Sequence, residues 1–250
     1  MIYRSKYPPF AVTVDAVVLT LRDDKLQALA VTRGGEPFAG TLALPGGFVD
    51  IDEDLGPAVE RELAEETGIS VRGTRIEQLA TYGRPDRDPR SRTVSVAYLT
   101  ILPDAPEPIG GDDAVEAQWR PVSWLMARRD RLAFDHRVIL RDGVERARAK
   151  LEYSAIGTSF CPPRFTIADL RRVYEVVWGA SLDPGNFHRK VTSVPGFVLP
   201  TGSKATRGAG RPAELYRRGP NELLHPPLTR SSFVGSPRAK APQRRGRASG

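Results

Sequence analysis

Three glutamates mark the stretch of this 250-residue sequence best suited to chemistry, residues 46–69, GGFVDIDEDLGPAVERELAEETGI. Read as a helix over 55–67, Glu62 and Glu66 stand four apart and Glu65 three from Glu62, so the carboxylates leave one side. Val59 and Leu63 mark the adjoining apolar side. Like charges at this spacing destabilise a helix by roughly 0.2–0.5 kcal/mol. A hard divalent cation, Mg²⁺ or Mn²⁺, resolves the repulsion and leaves coordination positions for phosphate oxygens. Such an ion polarises a phosphoryl group and activates a water. The alternative is a solvated acidic face on a surface helix.

Two further sets carry positive charge. Arg33, Arg84, Arg87 and Arg90 have guanidinium forks that suit phosphate oxygens, or are solvated surface residues. Asn186, His188, Arg189 and Lys190 follow Asp183-Pro184, a cap and first-turn pair that opens a short helix. At the start of the second helix of a helix-turn-helix, Asn186 suits adenine and Arg189 guanine, with His188 and Lys190 on phosphates or bases. Phe187 and Val191 are placed inward. Lys204, Arg207 and Arg211 sit among glycines that let backbone approach DNA, for phosphate or minor-groove contact. Here too the alternative is a solvated face.

The elements that must position these residues follow from periodicity and punctuation. Residues 10–20 and 26–32 are rich in Val, Ala, Thr and Leu and predict two strands around Arg22-Asp23-Asp24-Lys25. A short apolar stretch at 41–44 precedes Pro45-Gly46-Gly47. The helix over 55–67 has Pro57 in its first turn and is stopped by Gly68. Strands are expected at 94–102 and 117–122. Val138, Leu140, Val144, Ala147 and Leu151 fit a basic amphipathic helix over 134–151. Thr166 caps a helix that ends at Gly179, the short helix over 185–191 follows, and a hairpin is expected at 197–199 and 213–216 with a basic tip over 201–211. Helix, short turn, helix and hairpin is the layout of a winged helix-turn-helix.

The spacing Gly47-x5-Glu53-x7-Arg61-Glu62-Leu63-x-Glu65-Glu66-x-Gly68-Ile69 matches every fixed position of the box that defines the Nudix family, which the sequence resembles. The resemblance implies an α+β fold, a mixed sheet between helices, acting on nucleoside diphosphates linked to another moiety. It makes Glu62 and Glu66 metal ligands and Glu65 a further ligand or water-orienting group. Glu53 and Arg61 become a bracing ion pair, and Glu116 an added acid, so that catalysis falls to Glu65, Glu66 and Glu116. The strings over 32–38, 42–47 and 82–90 resemble Nudix proteins that handle ADP-ribose, implying ligand contacts from Arg33, Phe38, Gly46, Gly47, Arg84, Arg87 and Arg90. Leu132-Ala133-Phe134-Asp135-His136-Arg137, Phe165-Thr166-Ile167-Ala168-Asp169-Leu170, Asn186-Phe187-His188-Arg189-Lys190 and Gly210-Arg211-Pro212-Ala213-Glu214 continue the likeness. Together with the box they resemble the Nudix-related transcriptional regulators of NAD metabolism, over residues 8–218.

Composition agrees with two functions on one chain. The net charge of +7 is the balance of −6 over residues 1–130 and +13 over 131–250, an asymmetry that points to a polyanionic partner for the second half. No apolar run reaches the ~18 residues of a membrane span. The N-terminus lacks an apolar signal region, and the lone Cys161 forms no intrachain disulfide, so a cytoplasmic protein is expected. The expected organisation is a Nudix domain over 8–130, a winged-helix DNA-binding domain over 131–218 and a disordered basic tail over 219–250. The leading expectation is a homodimeric repressor of NAD biosynthesis or salvage genes that binds a double-stranded operator and senses ADP-ribose or a related nucleoside diphosphate. The alternative is a Mg²⁺-dependent hydrolase giving AMP and ribose 5-phosphate.

Overall fold

A strand buried on both faces organises the N-terminal half. In the computed structural model, which describes residues 8–110, 114–205 and 212–233, β1 (Ala11–Arg22) is buried throughout residues 13–20. β2 (Lys25–Arg33) pairs with it antiparallel and β6 (Thr93–Ile101) parallel. β3 (Leu42–Ala43) and β7 (Ala114–Pro121) pair with β2, β4 (Gly46–Phe48) with β1, and β5 (Ile76–Tyr82) with the outer side of β6. This is the mixed sheet between helices that the sequence implied.

Alternation along β1 feeds two apolar layers. Val14, Ala16 and Val18 pack with Ala58, Val59 and Leu63 of α1 (Leu55–Thr67). Val17 and Leu19 face the other way, onto Leu125 of α2 (Val122–Met126) and Ile139, Leu140 and Val144 of α3 (His136–Tyr153). Asp54 caps α1 and Gly68 ends it, its N–H donating to the Ala64 carbonyl. Gly143 is what lets α3 lie flat on the sheet: a Cβ there would come within 2.8 Å of the Val17 side chain.

The C-terminal half is built on α4 (Ile167–Trp178) and α5 (Pro184–Ser193), followed by the hairpin of β8 (Val198–Ala205) and β9 (Ala213–Arg218). Thr166 and Asp169 form a reciprocal capping box at the start of α4. Asp183 caps α5. Tyr174, Trp178 and Phe187 form an edge-to-face ring cluster at 4.9 and 5.2 Å between centroids. Each of these rings contributes roughly 1.5–3 kcal/mol by burial, plus a smaller ring-pair term.

Four expectations need correction. β5 was not foreseen, because only Leu79 of its seven residues is buried and an edge strand shows little alternation. α3 starts at His136 instead of 134, because Phe134 has a left-handed backbone (φ 52°). A boundary at 130/131 does not describe the packing: α3 contributes Ile139, Leu140, Val144 and Ala147 to the sheet's core and Leu151 to the winged-helix core. The tail is not disordered from 219. Leu224, Leu228 and Phe233 are buried in the winged-helix core, and Phe233 stacks near Trp178 and Phe187. Its scattered apolar residues look weak in sequence because each fills a gap between helices and none repeats at a helical or strand period. Residues 234–250 lie outside the described residues. No helix among the described residues is long and apolar enough to cross a membrane.

Candidate functional site

The site begins where β4 meets α1. The Gly46 N–H donates to Glu66 Oε2 at 2.9 Å. At Gly47 the Glu62 carboxylate lies so close that a Cβ would come within 2.3 Å of its Oε1. The glycine pair therefore seats both carboxylates at the rim of a cavity of about 740 Å³, lined also by Arg33, Arg90, Phe134 and His136. Burial pushes the Glu66 carboxyl up to about 7, and raises Glu62 as well, where the Arg61 guanidinium works against it.

Arg61 is the hub behind this rim. It donates to Glu53 at 2.7 and 3.0 Å, to Glu62 at 2.9 Å, to Glu65 at 3.1 Å and to the Phe48 carbonyl at 3.1 Å. Glu53 is held below the usual carboxylate range by that pairing. Glu65 is drawn to the Arg61 side, is 60% exposed and faces a separate groove, not the cavity. Glu116 lies exposed on β7 opposite Thr32, accepts from Gln118 Nε2 at 3.3 Å, and does not line the cavity either. The helix thus divides the three box glutamates, Glu62 and Glu66 to the cavity and Glu65 to the outer groove, with Arg61 bonded to both Glu62 and Glu65.

The arginines divide in the same way. Arg33 lines the cavity, donates to the Pro37 carbonyl at 3.0 Å and lies 4.8 Å over the Phe134 ring. Arg90 is braced by Asp88 at 2.8 Å and sits over both Phe134 and Phe48. Phe38 contacts Phe134 edge to face at 4.9 Å and stands behind it, outside the lining. Arg84 is exposed and pairs with Asp86 at 2.7 Å, away from the cavity. Arg87 departs most from expectation: its side chain is 4% exposed and bonds Asp135 at 2.8 Å and Asp15 at 3.4 Å. A guanidinium engaged by the buried Asp15 and the half-buried Asp135 braces the cavity floor.

That floor contains residues to which sequence reasoning gave no role. His136 Nδ1 accepts the Leu44 N–H at 2.9 Å, and its Nε2 lies 3.3 Å from Asp15 Oδ1. Burial holds the imidazole pKa below its ordinary value, and the Leu44 N–H on Nδ1 leaves Nε2 to carry the ring proton beside Asp15. Ser95 also donates to Asp15. The available signal was Asp15 itself, one charge inside the apolar run AVTVDAVVLT, since an unpaired buried carboxylate is too costly to persist. Asp135 and His136 begin α3, so the floor is joined directly to the helix that reaches the other half.

A metal is tested by the donor set. Glu62 and Glu66 offer buried oxygens to the cavity, and burial disfavours their charge unless a cation is near, which fits a divalent ion. Among the described residues no group of three or more His, Cys, Asp or Glu converges to enclose one. Such an ion would rest on Glu62 and Glu66 and take its other oxygens from ligand phosphates and water.

On α5, Phe187 and Val191 are buried while His188, Arg189 and Thr192 are exposed. Arg189 Nη2 donates to Asn186 Oδ1 at 2.8 Å, so Asn186 aims the guanidinium. Asn186 Nδ2 and Lys190 Nζ both donate to the Ser232 carbonyl, at 3.4 and 3.3 Å. Lys204 is exposed on β8, and Arg207 and Arg211 lie outside the described residues.

The NUDIX domain model matches residues 11–143, and the NrtR DNA-binding winged helix domain model matches 157–218. The ADPR responsive transcriptional repressor NtrR of Acinetobacter baylyi is 34% identical over 216 residues, covering 86% of this chain and 84% of that protein. The chain belongs to this Nudix and winged-helix family. Its members in solved structures include Shewanella oneidensis NrtR complexed with a 27mer DNA, 34% identical with a TM-score of 0.64, covering 84% of this chain and 94% of that one. The NUDIX domain of the same protein complexed with ADP ribose is 36% identical with a TM-score of 0.53, covering 58% of this chain and 94% of that one. The ADP-ribose pyrophosphatase of Methanocaldococcus jannaschii matches the first half, 39% identical over 132 residues, 53% of this chain and 72% of that protein. Nudix hydrolases as a family generally use divalent metal ions.

Proposed function

We propose that the chain is a cytoplasmic DNA-binding repressor of genes for NAD biosynthesis or salvage, whose cavity takes ADP-ribose, or a related nucleoside diphosphate, as effector. One observation carries the reading: the cavity that offers Arg33 and Arg90 to phosphates shares its floor with the start of α3, whose far end packs into the winged-helix core. Occupancy of the one can therefore bias the placement of the other, provided the ligand binds the two arrangements unequally. Arg33 and Arg90 grip the diphosphate. Glu62 and Glu66 would hold Mg²⁺ or Mn²⁺, which when bound would supply charge neutralisation and phosphoryl polarisation. Arg189, aimed by Asn186, reads a base edge, and His188 and Lys204 lie on phosphates. A homodimer presents two α5 helices to a two-fold operator.

Hydrolysis of ADP-ribose to AMP and ribose 5-phosphate is the second reading, favoured by the two cavity carboxylates. Glu65 and Glu116, both turned from the cavity, weigh against it. The two separate in one titration of a duplex from the chain's own upstream region, with and without ADP-ribose and Mg²⁺, with AMP assayed in the same tube. A repressor prefers that duplex to random sequence by roughly 10³-fold or more and responds to ADP-ribose. Absence of preference overturns the regulator, and absence of AMP overturns the hydrolase.

A further inference from the structure

Residues 219–233 continue past the segment that the winged-helix model matches, and they are built into the fold. The Leu224 and Leu228 N–H groups donate to the carbonyls of Tyr153 and Glu152 at 2.8 and 2.7 Å. The Arg230 N–H donates to Glu152 Oε1 at 3.0 Å, and its guanidinium pairs with Glu145 of α3. The Phe233 ring is buried, 5.6 Å from the Phe187 ring on the inward side of α5 and 5.7 Å from Trp178. So fastened, the chain brings one backbone group against the flank of α5. The Ser232 carbonyl accepts from Asn186 Nδ2 at 3.4 Å and from Lys190 Nζ at 3.3 Å.

The polarity of these contacts fixes an order. A carbonyl only accepts and a guanidinium only donates, whereas a primary amide does both, at opposite ends. With Nδ2 on Ser232, Asn186 presents Oδ1 to Arg189 Nη2 at 2.8 Å. An amide engaged at both ends has no free donor–acceptor pair for adenine, which needs both. Lys190 is likewise turned back, its ammonium 4.5 Å over the Phe233 ring. We propose that Ser232 and Phe233 are positioning residues for sequence recognition: Phe233 anchors the chain, the Ser232 carbonyl orients the Asn186 amide, and the amide holds Arg189 in the pose that meets a base edge. This rests on the DNA-binding reading above. An arginine already fixed gives up less rotamer freedom on binding. A free guanidinium also swings to phosphates, which carry no sequence, so fixing it favours base reading over backbone contact.

The test compares the full chain with Phe233→Ala, Asn186→Ala, the two combined, and Phe233→Leu, none of which changes a charge. Without DNA, NMR relaxation of the Arg189 Nε–H is expected to show restricted motion in the full chain and in Phe233→Leu, and free motion in the other three. Each protein is then titrated with the upstream duplex and with a random duplex of equal length. Phe233→Ala and Asn186→Ala each lower the preference between duplexes by about five- to a hundredfold, the worth of one base contact. The loss is confined to the upstream duplex, and the salt slope holds because no phosphate-binding charge is removed. The combined variant loses no more preference than Asn186→Ala alone, because Phe233 acts through the amide. Additive losses, an equal loss on both duplexes, or an Arg189 as mobile in the full chain as in the variants overturn the proposal. Should Phe233→Ala fail to fold, the native chain decides. Its Asn186 side-chain amide protons are expected to show Overhauser contacts to the backbone of Ser232 and Phe233, and absence of those contacts overturns the proposal. If the full chain shows no preference between duplexes, the regulator reading falls, and the mobility of Arg189 still decides the positioning.

Discussion

Arg87 and Arg33 are separated by burial more than by chemistry. Arg87 is locked between Asp135 and Asp15, whereas Arg33 lines open cavity. Arg87→Ala leaves the buried Asp15 and the half-buried Asp135 without their cation and is expected to cost about 3–5 kcal/mol, read from the urea midpoint. Arg33→Ala is expected to hold that midpoint within about 1 kcal/mol while weakening ADP-ribose binding at least tenfold by calorimetry. His136 gives a pH prediction. Its folded pKa is depressed by burial, so the unfolded chain takes a proton that the fold refuses, and this group's contribution to stability falls as pH drops through about 6.5. By NMR, its ring protons are expected to hold neutral-imidazole shifts at pH 6.5. The box glutamates were legible because their spacing is local. Their division between cavity and Arg61 was not, since it depends on which neighbours the fold supplies.

Among the elements, α3 and the segment after β9 hold most of what the sequence hid. A helix with apolar residues at helical spacing was visible over 134–151, but periodicity says nothing about which core receives each end. Gly143 offered a clue in hindsight: an interior helix glycine costs about 1 kcal/mol against Ala, and here it permits contact with Val17. Gly143→Val is expected to lose about 1–3 kcal/mol or more by overpacking, again visible in the urea midpoint. Truncation at Arg218 removes Leu224, Leu228 and Phe233 from the winged-helix core. Losing three buried side chains at about 2–5 kcal/mol each is expected to unfold that half, seen as loss of near-UV dichroism from its rings. Deletions meant to probe the basic stretch must therefore begin after Phe233. By contrast the caps at Thr166 and Asp183 were readable at once, because a cap is settled within four residues.

At the scale of the whole molecule, the cavity and the winged-helix core are joined by α3 and by interlocking bonds. Arg148 donates to the Val177 carbonyl at 2.9 Å and Trp178 to the Arg148 carbonyl at 3.2 Å. Heating is expected to give one cooperative transition, with Trp178 fluorescence tracking the calorimetric signal. ADP-ribose at 100 times its Kd is expected to add about 2.7 kcal/mol to both probes alike. Two separate transitions, with only the first moved by ligand, would show that the halves are energetically independent. The placement of α3 also bears on how such proteins are taken apart and recombined. A helix that walls two cores belongs wholly to neither, so any cut between the halves strips an oily face from one of them. Grafting this sensor onto a different reader would require transplanting the shared wall and re-fitting its far end, not merely splicing at a linker.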